Sequence, residues 1–251
     1  MTTGYFLICD ILGFSGIVGN TDETELSARI DTWVSLAKNS AETAGVTELQ
    51  LLSDTLFAST PDSSDGRGRL VRFSQTLLSE GLKQSLPIRG GISFGKYSWG
   101  ELTYGKAVIA AHKIEASSEW VGVACDAGLP HIADHWGVDS LVCFPAPQRS
   151  GPITLRPVVA WPVPRFAEFA RRVCELGLTR EGEVLEWEWN RKITNTVQFG
   201  HYLTLLRKHS HDPQHFYGLS PLETVEIELF GDYDGNANKG RQATASPPPA
   251  P

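Results

Sequence analysis

The sequence predicts an α+β fold: a βαββαβ core forming an open sheet covered by helices on one face, followed by extra strands and a helical C-terminal extension. Three observations carry this. A short apolar run at residues 5–12 stops at Gly13, two strand-like segments meet around Ser53 and Asp54, and helical apolar spacing alternates with strand-like stretches as far as Pro164.

"YFLICDIL" at 5–12 is apolar at consecutive positions and suits a central strand covered on both sides. Leu26, Ile30, Trp33, Val34 and Leu36 recur at helical spacing and predict a helix over Glu23 to Ala44. "VTELQLLSDTLFAST" predicts a hairpin with Asp54 at its turn. "DSSDGRGR" predicts an exposed loop, and Leu70, Val71, Phe73, Leu77, Leu78 and Leu82 a helix from about Leu70 to Gln84. "PIRGGISFG" predicts a strand whose glycines admit close approach of a neighbouring segment. A third helix is expected from about Gly105, then strands in "WVGVACDAG", "DSLVCFP" and "ITLRPVVAWPV". Beyond Pro164 the pattern is helical, with Trp187, Trp189, Phe199, Tyr202, Leu203 and Leu206 supplying apolar surface. The division expected is a core over 1–164, a helical extension over 165–230, and a polar, proline-rich, disordered tail over 231–251.

A net charge of −7 gives no whole-chain attraction to nucleic acid or an anionic membrane, so neither is expected as a partner. Four scattered cysteines without CxxC spacing read as reduced thiols. No apolar run approaches membrane-spanning length, and Asp10 interrupts the first too early for a secretory signal, so a cytoplasmic protein is expected.

Asp10 is the anomaly of the first strand, because a buried carboxylate costs several kcal/mol unless it is paired or metal-bound. Taken alone, it could cap the following loop or pair with an arginine. Asp54 alone is an ordinary turn aspartate. In a βαββαβ sheet, however, the end of the first strand lies beside the hairpin of the next two. The two carboxylates would then face each other and call for a cation between them.

Four blocks resemble class III nucleotidyl cyclases: "DILGFSGI" the first metal motif, "QLLSDTLFA" the second with Ser53 for glycine, "IRGGISFGKYSWG" a core strand, and "YGKAVIAAHKIEAS" a core helix. They occur in family order over residues 5 to about 117. The resemblance implies a ferredoxin-like βαββαβ cyclase core. It implies that Asp10, Asp54 and the Ile11 carbonyl hold two divalent ions, Mn²⁺ or Mg²⁺, and that Phe14 and Ser15 sit where backbone amides meet the phosphates. It also implies a homodimer with active sites at the interface, to which the second chain gives Leu102, Thr103 and Lys113.

Departures from the family pattern bear on turnover and base choice. Ile109 stands where the family has a transition-state asparagine, and Lys113 where it has an arginine. Gln50 and Leu102 replace the purine-reading residues, and an amide at position 50 suits either uracil or cytosine. A lone core with such positions resembles the pyrimidine cyclases of the bacterial anti-phage system Pycsar, whose product is read by a separate effector. The implied activity is UTP to cyclic UMP and pyrophosphate. The alternatives are cyclic CMP from CTP and a non-catalytic, nucleotide-sensing module. Arg89 is read as pairing with a carboxylate or steadying the triphosphate, and the histidines of 209–215 and "DYDGNANKG" as incidental.

Overall fold

The computed structural model describes residues 1–130, 137–151, 154–175 and 187–209. The chain divides into two compact units, 1–201 and 202–251. The segment 231–251, "DYDGNANKG" and the side chains of the 209–215 histidines lie outside the described residues.

The strands are β1 (Thr2–Ile11), β2 (Glu48–Leu52), β3 (Thr55–Pro61), β4 (Ile88–Ser98), β5 (Tyr104–Gly105), β6 (Gly122–Cys125), β7 (Leu141–Pro145) and β8 (Leu155–Val159). They form one sheet in the order β2-β3-β1-β4-β6-β8-β7, with β5 paired to β4. β1 lies between β3 and β4, antiparallel to both, and its register sets Leu7 opposite Ala58 and Asp10 opposite Arg89. Its apolar run is fully buried because both faces are covered.

The helices are α1 (Phe14–Asn20), α2 (Glu23–Ala44), α3 (Ser64–Lys83), α4 (Lys106–Ser117), α5 (Phe166–Glu175) and α6 (Trp187–His209). The bounds of α2 follow from local chemistry. Asp22 accepts a hydrogen bond from the Glu25 amide at 2.9 Å, and Gly45 closes the other end at φ 72°.

Two expectations are corrected. "DSSDGRGR" is not an exposed loop: α3 starts at Ser64, because Ser63 accepts from the Gly66 amide at 2.9 Å and Arg67 is buried, its guanidinium donating to the Pro130 carbonyl at 2.9 Å. Nor do the helices keep to one face. Strand residues alternate between faces, and α3 packs on the side of Ile88 while α4 packs on the side of Phe6 and Ile8. α4 is the crossover that makes β4 and β6 parallel.

The first part of α6 is fastened to the segment before β6. Thr196 Oγ1 accepts from the Val121 amide at 2.9 Å, Asn195 donates to the Glu119 carbonyl at 2.9 Å, and Phe199 meets the Trp120 ring edge-on at 5.0 Å.

Gly91 sets the distance between α4 and the sheet, since a Cβ there would fall 2.4 Å from the Ala111 carbonyl and 2.8 Å from Ile114 Cβ. We predict that Gly91→Ala destabilises the protein by about 1–3 kcal/mol. Thermal unfolding should show the midpoint dropping by roughly 2–4 °C for each kcal/mol lost.

Candidate functional site

β1 delivers Asp10 and Ile11 to the mouth of a cleft of ≈ 630 Å³, and the chain turns through Gly13 at φ 78° into α1. That left-handed turn, which glycine adopts without strain, places Phe14 and Ser15 on the same cleft. The β2–β3 hairpin adds Asp54. Ser53, where the resembling family has glycine, takes φ 58° and keeps the turn. The structure therefore brings together five of the expected residues: Asp10, Ile11, Phe14, Ser15 and Asp54.

Asp10 and Arg89 are cross-strand partners, and the guanidinium grips both carboxylate oxygens at 2.8 Å. Arg89 also donates to the Ser118 carbonyl at 3.3 Å. Burial opposes its charge, but the hydrogen bond and charge of Asp10, aided by Glu115 and Glu119, outweigh that and raise its pKa. Of the two roles open to Arg89, pairing with a carboxylate is the one present.

Glu115, from α4, completes the cluster. Its Oε1 lies 2.8 Å from Arg89 Nε, whose single N–H goes to Asp10, so that buried oxygen lacks a hydrogen bond. Burial first, then the charge of Asp10 and a hydrogen bond to it, push the Glu115 pKa up to about 8. A neutral Glu115 supplies the O–H that a bond to a carboxylate requires. Asp54 is also raised, by burial and then by the charge of Asp10, against lowering bonds from its own amide and Ser53.

These observations test the donor set for a divalent ion. Asp10 and Asp54 repel each other across one cleft, and the pair relaxes if a cation lies between them. Arg89 uses one lone pair on each Asp10 oxygen and the Glu115 bond a third, which leaves one lone pair for a metal ion. Among the described residues no three His, Cys, Asp or Glu side chains converge on a metal position, so further donors would be backbone carbonyls such as Ile11. All are hard oxygens, which suits Mg²⁺ or Mn²⁺.

The remaining expected residues stand apart from that cleft. Thr103 Oγ1 donates to Gln50 Oε1 at 3.2 Å, joining two positions far apart in sequence. Leu102 beside them is 73% exposed, and Lys113 is exposed on α4. Ile109 lines a second cleft of ≈ 490 Å³ on the other side of the Asp10–Arg89 pair. Neither Lys113 nor Gln50 reaches the Asp10–Asp54 cleft of its own chain.

Sequence reasoning missed Arg149, Trp189 and Lys192, which line the cleft containing Asp10 and Asp54. No local spacing could have revealed them, because they arrive from the loop after β7 and from α6.

Comparisons with solved structures can now be set beside this geometry. A bacterial light-regulated adenylyl cyclase aligns over 70% of this chain and 98% of its own, at 16% identity and TM-score 0.52. The monomeric guanylyl cyclase domain of the RhoGC fusion protein from the aquatic fungus Blastocladiella emersonii aligns over 63% of this chain and 95% of its own, at 19% and 0.52. The chain has the nucleotidyl cyclase catalytic-domain fold. A non-canonical dimeric form of the fungal domain aligns over 63% of this chain and 94% of its own, at 18% and 0.50. No family model and no curated protein matches the sequence.

The Glu115 shift has a definite sign. Its folded pKa of about 8 exceeds the ordinary 4.5, so the native state holds a proton that the unfolded chain releases. Stability from this group is complete below pH 4.5 and is lost as pH rises through about 8. Glu115→Gln, which mimics the neutral acid, should flatten that decline by about 1 kcal/mol per pH unit in metal-free protein. Urea unfolding of both proteins at stepped pH measures it.

Proposed function

We propose that the chain is a nucleotidyl cyclase converting UTP to 3′,5′-cyclic UMP and pyrophosphate. The observation that carries this reading is Asp10 and Asp54 sharing one cleft with the Gly13–Ser15 turn on a cyclase fold. In this reading the amides of the turn would meet phosphate oxygens at the start of α1. Asp10 and Asp54, with the Ile11 carbonyl, would hold the divalent ions, two per site. Bound there, these ions supply charge neutralisation for the triphosphate and a lowered pKa for the ribose 3′-hydroxyl. The 3′-oxygen then attacks the α-phosphorus in line, the bond from that phosphorus to the β-phosphate oxygen breaks, and pyrophosphate departs. Arg89 holds Asp10 in a fixed orientation through both carboxylate oxygens.

The catalytic domain in this proposal is residues 1–164, and the active form is a cytoplasmic homodimer. Leu102, Thr103 and Lys113 of one chain would complete the cleft of the other, with Lys113 facing the developing phosphorane. By analogy with Pycsar, cyclic UMP would be read by a separate effector during phage defence.

The Thr103–Gln50 bond supports uracil over cytosine. Because the hydroxyl donates to Gln50 Oε1, the amide N–H₂ is the group left for the base. It matches the O4 acceptor of uracil and opposes the N4 amine of cytosine. A non-catalytic nucleotide sensor is the second reading, favoured by Arg89 occupying both oxygens of Asp10 and by apolar Ile109.

Incubation with Mn²⁺ and each of the four nucleoside triphosphates, with products identified by mass, decides between the two. Cyclic UMP is expected, and Asp54→Ala should reduce it at least about a hundredfold while the protein stays folded. Absence of any cyclic product sinks the enzyme reading. Thr103→Val frees the amide to turn over, so the preference for UTP over CTP should fall about tenfold in competition assays.

A further inference from the structure

The lining of the Asp10–Asp54 cleft carries two cations from outside β1, β4 and the β2–β3 hairpin, with Glu188 beside them. These cations are Arg149 and Lys192, and both are gathered there by Glu119, whose side chain is only 4% exposed. Arg149 Nε lies 3.3 Å from Glu119, Arg191 Nη2 3.1 Å and Lys192 Nζ 3.8 Å. One carboxylate thus faces three cations, and Arg191, stacked on Trp187 at 4.6 Å, does not line the cleft. Lys192 is the most enclosed of the three, its side chain 11% exposed. Its ion pairs with Glu119 and Glu188 both measure 3.8 Å, beyond hydrogen-bond length. Lys192 Nζ also lies 5.0 Å over the Trp189 ring, which partly compensates the charge but offers no oxygen acceptor, so an ammonium with three donors and no short oxygen partner remains poised for an anion.

We propose that Arg149 and Lys192 form a polyphosphate clamp supplied by the same chain that carries Asp10 and Asp54. The inference deepens the cyclase reading and rests on it for the identity of the anion: the β- and γ-phosphates of the nucleotide, which leave as pyrophosphate. Asp10 and Asp54 would hold the ions that neutralise the triphosphate, and the clamp would add direct cationic donors from the same cleft lining. It assigns a task to α6: the bonds from Val121 and to the Glu119 carbonyl hold the helix so that Lys192 stays on the cleft. These residues position the leaving group. They do not touch the base, so all four triphosphates should depend on them equally.

The test titrates tripolyphosphate, which has neither base nor ribose, into the full chain with Mg²⁺ by calorimetry, alongside steady-state turnover. Lys192→Met and Arg149→Met should each weaken tripolyphosphate binding about tenfold and raise KM far more than they lower kcat. Lys192→Arg should restore most of the loss. Arg191→Met, which removes a Glu119 partner off the cleft, should bind as wild type. Arg149 is half exposed, so its variant tests the clamp even if Lys192→Met fails to fold. Unchanged binding in a folded Arg149→Met overturns the clamp, as does an equal loss in Arg191→Met, which would assign the effect to packing around Glu119. If wild type yields no cyclic product yet binds tripolyphosphate through these two residues, the clamp stands and the cyclase reading falls. If wild type turns over with no dependence on either residue, the reverse holds.

Discussion

The bidentate pair between Asp10 and Arg89 joins most of what positions the site. The two residues are direct neighbours across the central strand pair, so the ion pair fixes the end of β1 against β4. Arg89 then reaches Glu115 on α4 and the carbonyl of Ser118, one residue before the glutamate that gathers Arg149 and Lys192. Breaking a pair this enclosed by removing one partner strands a charge, a cost of about 3–5 kcal/mol in buried cases. The same pair separates the two clefts, and each cleft has Asp10 in its wall.

Around that pair the electrostatics are graded. Asp10 is matched by a guanidinium, Glu115 is driven to its neutral form, and Asp54 is left facing Asp10 with its own pKa raised. A second balance lies nearby, where Glu119 draws in three cations. The cleft therefore combines carboxylates with cations in one lining, a composition suited to a cation and a polyanion binding together.

Much of the core was legible because its signals are local. Asp22 and Gly45 bound α2, the apolar run of β1 marks a doubly covered strand, and "LLSDT" marks a hairpin. What was misread depends on tertiary partners. The start of α3 looks like a loop because Gly, Asp and Arg are poor core formers, yet Arg67 is buried through a carbonyl at Pro130. The same holds at the site. Asp10, Asp54 and the Gly13 turn were identifiable from motifs, whereas Arg89 as the partner of Asp10 depends on register between strands 79 residues apart. Arg149 depends on the loop after β7 bonding back to the Ser117 carbonyl, and Lys192 on α6 docking at Val121.

That Lys113 and Gln50 do not reach the Asp10–Asp54 cleft of their own chain has a consequence for gene dosage. In the proposed dimer each cleft is finished by a second copy, so at chain concentrations below the dimer dissociation constant the number of complete sites grows as the square of the amount of chain. Halving expression would then cut output about fourfold. Such a protein can be kept silent by scarcity alone and switched on by accumulation, without a dedicated inhibitor.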